Sequence, residues 1–212
     1  MAIKVGLIGA GRIGKVHAEN LAQRLKAAEL VAVADADKVA ADRLAENFDI
    51  PTSTGDYQEL VGREDLDAVF VCSSTNTHAE VIRAAVEAGK HIFCEKPLDL
   101  DLAQVEELKR LLDASPLKFQ LGFNRRFDCN FRQIYNAVRD KTAGPIHLMR
   151  IASRDPAPPP LSYIAVSGGI FLDMMIHDFD MARYLKAMEV DEVFASGTIR
   201  HEPDFATVGD VD

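Results

Sequence analysis

Three groups of residues in this chain have types and spacings that can do chemistry. The first is Gly9-Ala10-Gly11-Arg12-Ile13-Gly14, a G-x-G-x-x-G turn, with Asp35 twenty-one residues after Gly14. In such a turn Gly9 permits the tight bend, Gly11 lets the backbone approach a pyrophosphate, and Gly14 lets the next helix pack on the preceding strand. A helix start offers phosphates its unpaired N–H groups and the positive end of its dipole. A carboxylate at Asp35 can accept from both hydroxyls of an adenine ribose and repels a 2′-phosphate. Together these residues spell a site for NAD, with Arg12 and Ile13 at the helix start beside the pyrophosphate. Arg12 leaves NADP in play. A glycine turn followed by a solvated acid is the plain alternative, but the strand, turn, helix, strand and acid fall in register. Asp37 reads as a solvated helix-start residue.

The second group sits at two later strand ends. Cys72-Ser73-Ser74-Thr75-Asn76-Thr77-His78 offers Ser73, Thr75, Asn76 and His78 as cofactor contacts, while Asn76 or Thr77 alternatively caps the next helix. Glu95-Lys96-Pro97 follows an apolar run directly, and the proline holds Lys96 extended. That presents a cation beside a nicotinamide, unless Glu95 and Lys96 form an ordinary surface pair. The third group is Asp173, His177 and Asp180, at i, i+4 and i+7 in an otherwise apolar stretch. On a helix these share one face, and a buried polar stripe is costly unless paired or lining a cavity. It can be an acid–base pair, a satisfied core histidine or a metal ligand pair. No second histidine motif accompanies it, so no metal is expected. As an acid–base pair, His177 takes a hydroxyl proton and Asp173 orients the imidazole.

The elements that must hold these residues alternate in the first half. Strands are predicted at Ile3–Ile8, Leu30–Ala34, Ala68–Cys72, His91–Cys94 and Leu117–Gly122. Helices are predicted at Ile13–Leu25, Lys38–Asn47, Tyr57–Val61, His78–Ala88 and Leu102–Asp113. Strand–helix alternation with continuous apolar strands makes a parallel sheet covered on both faces. In the second half the reading is a helix over Asn130–Arg139, a strand over Ile146–Ala152, a loop at the PAPPP of 156–160, a helix over Ile170–Ala187 and a strand over Val190–Arg200. The boundary falls near Leu121, giving domains 1–121 and 122–212. The fold class is α/β: a doubly wound Rossmann sheet, then an α+β substrate domain.

Composition narrows the partners. A net charge of −9 disfavours nucleic acid and anionic membranes. No apolar run approaches a membrane span of about twenty residues. MAIKVGLIGA reads as a buried strand, not a signal peptide. The three cysteines, Cys72, Cys94 and Cys129, form no CxxC, which suggests reduced thiols in a cytoplasmic protein.

VGLIGAGRIGKVHAENL, CSSTNTHAEVIRAAVEAGKHIFCEKPLDL, GFNRRFD and GGIFLDMMIHDFDMARYL together resemble the glucose–fructose oxidoreductase / inositol dehydrogenase (Gfo/Idh/MocA) superfamily over residues 1–212. With SRDPAPPP, the resemblance is nearest to its inositol 2-dehydrogenase branch. It implies an NAD-dependent dehydrogenase that oxidises a ring hydroxyl of a cyclic polyol, usually myo-inositol, to the 2-keto product. Lys96, Asp173 and His177 are then the catalytic set, with Glu95 near the cofactor. Arg125 or Arg126, and Asp155, are then substrate contacts. It also implies a homotetramer built on a large open sheet, and a longer chain than these 212 residues, so the second domain is expected to be partial. Another sugar or polyol as substrate, or an NAD-binding fragment without turnover, are the alternatives.

Overall fold

The computed structural model describes residues 2–200 and 203–211, and it divides between Gly122 and Phe123 into two compact units. In the first unit the apolar runs form a parallel sheet of β1 (Ile3–Ile8), β2 (Ala28–Ala34), β3 (Thr52–Thr54), β4 (Ala68–Val71), β5 (His91–Cys94) and β6 (Phe119–Leu121). Its order is β3-β2-β1-β4-β5-β6. This order reverses between β1 and β4, and ligands of open α/β sheets bind outside the strand ends at such a reversal. The connecting helices are α1 (Arg12–Glu19), α2 (Lys38–Phe48), α3 (Tyr57–Val61), α4 (Thr75–Glu87) and α5 (Leu102–Asp113).

Two apolar clusters form the core. One joins Val5, Leu7 and Val33 to Ala18 and Leu44 of α1 and α2. The other joins Val69, Val71 and Ile92 to Leu60, Ile82 and Leu108 of α3, α4 and α5. Strands buried on both faces explain why these segments carry no polar alternation. Cys72 and Cys94 are buried free thiols, and Cys129 is exposed.

Helix starts differ in how their orphan N–H groups are met. Asp37, Asp56 and Asp101 cap α2, α3 and α5 with their side chains. Gly11 and Ser74 precede α1 and α4 without any side-chain cap. The predicted helix Ile13–Leu25 ends early, and Asn20–Arg24 winds as a π-turn. The strand β3 is polar and, among the described residues, pairs with β2 alone, and its TST carries no apolar run to betray it.

The second unit contains α6 (Cys129–Arg139), α7 (Leu161–Ser167) and α8 (Ile176–Lys186). The predicted helix Ile170–Ala187 is interrupted. Ile170–Met174 winds as a π-turn, closed by Met175 N–H donating to the Ile170 carbonyl at 2.8 Å, before α8 begins. The predicted strands Ile146–Ala152 and Val190–Arg200 do not form. A strand exists by its ladder, and among the described residues nothing pairs with either segment. Leu148 and Phe194 are 89% and 93% exposed, so these apolar side chains are not buried as strand composition would require. Residues 156–160 are irregular, as their prolines require. Among the described residues no helix is long and apolar enough to cross a membrane.

Candidate functional site

The glycine turn is built by contact. Gly9 has φ +106°, and a Cβ there would lie 2.5 Å from the Cys72 backbone. A Cβ on Gly14 would lie 1.9 Å from the Gly9 carbonyl oxygen. Neither position admits a side chain. An added Cβ at Gly11 meets nothing within 4 Å, so open space lies over the turn where α1 begins uncapped. Arg12 and Ile13 occupy that first turn and are exposed.

Asp35 stands half-buried just beyond the end of β2. Its Oδ2 accepts from Ala10 N–H inside the glycine turn at 2.6 Å, and its Oδ1 accepts from Asp37 N–H at 2.8 Å. The acid and the turn are thus a single hydrogen-bonded piece, and each carboxylate oxygen keeps a further lone pair for a ribose hydroxyl. Asp37, expected to be a solvated helix-start residue, is the cap of α2. Open space, an uncapped helix start and a fixed acid fit a dinucleotide.

At the end of β4 the loop leads into the second uncapped helix, α4. Thr75 is half-buried and Asn76 exposed in its first turn. Ser73 Oγ lies 2.7 Å from Thr77 Oγ1, which donates to the Ser74 carbonyl at 2.7 Å. His78 is 1% exposed, with Nδ1 2.8 Å from the Pro97 carbonyl oxygen and Nε2 3.1 Å from that of Ser73.

The turn after β5 carries Glu95 and half-buried Lys96. Glu95 Oε1 lies 2.7 Å from His17 Nε2, and Oε2 accepts from Lys96 N–H at 3.3 Å. The His17 ring packs edge-on against Phe70 and Phe93. Sequence reasoning passed over His17; its place on the inner face of α1, one turn past Gly14, was the available signal. Burial pushes the Cys72 and Cys94 thiols up, so they stay protonated and unreactive.

In the second unit Asp173 lies in the π-turn and accepts from the Tyr163 hydroxyl at 3.0 Å. Ile170 N–H, at the start of that turn, donates to the Asp210 carboxylate at 3.0 Å. His177 is the second residue of α8, with Nδ1 buried and its ring edge-on to Phe123. The two predicted arginines bind acids of α8. Arg125 pairs with Asp178, which also accepts from Ser153 at 2.7 Å. Arg126 forks onto buried Asp180 through Nε at 2.9 Å and Nη2 at 2.5 Å, and lies over the Tyr184 ring. The Asp180 contact holds the Arg126 guanidinium above its ordinary value. Asp173 thus lies in the π-turn with Tyr163 among its partners, and Asp180 lies on α8 with Arg126. A cavity of about 1230 Å³ within this unit is lined by Arg154, Asp155, Asp173 and Phe194 among others, which brings Asp155 and Asp173 to one space.

Comparison with known proteins agrees over both units. Residues 3–123 match the Gfo/Idh/MocA model described as an oxidoreductase family, NAD-binding Rossmann fold. Residues 131–212 match the Gfo/Idh/MocA C-terminal domain. The chain is 49% identical to the myo-inositol 2-dehydrogenase of Thermotoga maritima over 99% of its length, and 44% identical to the inositol 2-dehydrogenase of Rhizobium meliloti over all of it. It spans 63% of each of those proteins. It superposes with a TM-score of 0.90 on scyllo-inositol dehydrogenase from Lactobacillus casei with bound NAD(H) and scyllo-inositol. That match is 36% identical and covers 100% of this chain and 64% of the other. The chain belongs to the Gfo/Idh/MocA oxidoreductase family, and its first unit is that family's NAD-binding Rossmann fold.

Proposed function

We propose that the protein carrying this chain is an NAD-dependent dehydrogenase that oxidises a ring hydroxyl of an inositol, foremost myo-inositol at the 2-position, to the ketone. The observation that carries this reading is the Asp35 carboxylate anchored on Ala10 N–H, which sets an acid for an unphosphorylated ribose beside an open glycine turn. The inositol part is supported by relatives at 49% and 44% identity that carry that activity in their names.

Bound NAD supplies the hydride acceptor, and the chain's residues manage the proton and the charge. His177 takes the hydroxyl proton through Nε2, because Nδ1 is buried. Lys96 holds the developing alkoxide. Asp173, which accepts from Tyr163, offsets the imidazolium charge. Asp155 contributes a substrate contact from the cavity, while Arg125 and Arg126 serve by holding α8. Thr75 and Asn76, in the uncapped first turn of α4, are the residues we assign to the nicotinamide end of the cofactor. We extend the proposal to a homotetramer acting in the cytoplasm.

The test is NADH absorbance with a panel of inositol isomers and hexoses, for the parent and His177→Ala. General-base help is worth about 10²–10⁴-fold. A loss in kcat under about tenfold removes His177 from that role. NADH binding without turnover of any polyol refutes the enzyme reading in favour of a binding module.

A further inference from the structure

His78, expected to be a cofactor contact, is 1% exposed, and both its ring nitrogens lie against backbone carbonyls. Its ring spans two carbonyl oxygens from different strand ends. Ser73 follows β4, and Pro97 follows Lys96 in the turn after β5. A carbonyl oxygen only accepts, and a neutral imidazole has one N–H. Burial holds His78 below the ordinary histidine value, outweighing the two carbonyls and the charges of Glu95 and Asp99, so the ring is neutral near pH 7. Only one of the two contacts is then a hydrogen bond, and the one to Pro97, at 2.8 Å, is the shorter.

We propose that His78 is a positioning residue, held as its Nδ1–H tautomer, that donates to the Pro97 carbonyl and so fixes the turn presenting Lys96. Its Nε2 rests against the Ser73 carbonyl and keeps the β4 loop at a set spacing from that turn. The residue acts on the reaction through Lys96, and so the inference rests on the role proposed for that lysine.

Two measurements test it. The first is side-chain ¹⁵N NMR of the histidines in the whole protein at pH 7.5, which reads the tautomer directly. Protonated Nδ1 at His78 is expected, and protonated Nε2 overturns the proposal. The second compares His78→Asn, whose amide can donate from near the Nδ1 position, with His78→Gln, whose amide reaches the Nε2 position. Asn is expected to retain about tenfold more kcat than Gln, the worth of one hydrogen bond, with NADH affinity alike in both. Equal kcat in the two variants, or a difference confined to NADH affinity, overturns it. If the parent turns over no polyol, the dehydrogenase reading fails, while the tautomer still decides the hydrogen bond.

Discussion

Replacing Asp35 with Asn removes one negative charge and exchanges an acceptor oxygen for an NH₂ donor at a carboxylate that serves two backbone N–H groups. Oδ2 holds Ala10 at 2.6 Å and Oδ1 holds Asp37 at 2.8 Å. The amide oxygen can keep one of these bonds. The rotamer that keeps Ala10 turns its NH₂ toward the Asp37 N–H, donor against donor. Losing one such bond costs about 1 kcal/mol, or roughly 2–4 °C in Tm for a chain of this size. The ligand effect is larger. A hydroxyl bond to a carboxylate is worth about 1.5–3 kcal/mol, so NADH should bind about 10- to 100-fold more weakly. NADPH should move the other way. Two unit charges about 4 Å apart at an effective dielectric of about 20 repel by about 4 kcal/mol before screening by salt. The preference should therefore swing toward NADPH by at least about a hundredfold. Fluorescence titration of both nucleotides against parent and variant, with thermal unfolding as the control, reads all of this. If the Tm falls but neither affinity changes by more than about twofold, Asp35 is a structural anchor and not the ribose ligand.

Arg126→Ala leaves the Asp180 carboxylate, whose side chain is 6% exposed, without its guanidinium. Removing one partner of a buried pair costs about 3–5 kcal/mol, and the half-exposed arginine puts this case at the low end, which urea unfolding can measure. Unchanged stability with a raised KM would instead return Arg126 to the substrate. For pH, burial lowers the His78 value from 6.5, so below about pH 6.5 the unfolded chain takes up a proton that the native chain refuses. Stability should fall as pH drops from about 6.5, by up to about 1.4 kcal/mol per unit, and level off once the native value is passed. The groups facing this ring are the Ser73 and Pro97 carbonyls, Glu95 and Asp99. His78→Asn should flatten the slope, and an unchanged slope assigns the effect elsewhere.

The first unit was legible in most of its elements, though not in β3 or the end of α1, and the second was less so. Ile3–Ile8, His91–Cys94 and Leu102–Asp113 stand where their apolar runs and caps put them, because a buried parallel strand and an Asp-capped helix are specified locally. The π-turns at Asn20–Arg24 and Ile170–Met174 were not legible, since a helix period looks the same across one widened turn. Leu161–Ser167 was hidden behind three prolines, the last of which precedes its first turn. The segments 146–152 and 190–200 have strand composition, but pairing is a property of neighbours. In the candidate site, residue types were readable while partners were not. Spacing placed Asp35 near the cofactor but said nothing of Ala10. It offered Asp173 to His177 and was silent about Tyr163, which stands ten residues earlier on another helix.

The Glu95 carboxylate holds His17 with one oxygen and the Lys96 amide with the other. The helix beneath the glycine turn and the turn bearing the lysine therefore share one anchor, and they cannot be redesigned independently. Swapping the α1 segment for that of an NADP-preferring relative would give full turnover with the new coenzyme only if the graft kept a donor at position 17. A graft lacking it would dock its new coenzyme and still turn over slowly. For such engineering, His17 belongs to the reaction half of the molecule although it lies on the cofactor helix.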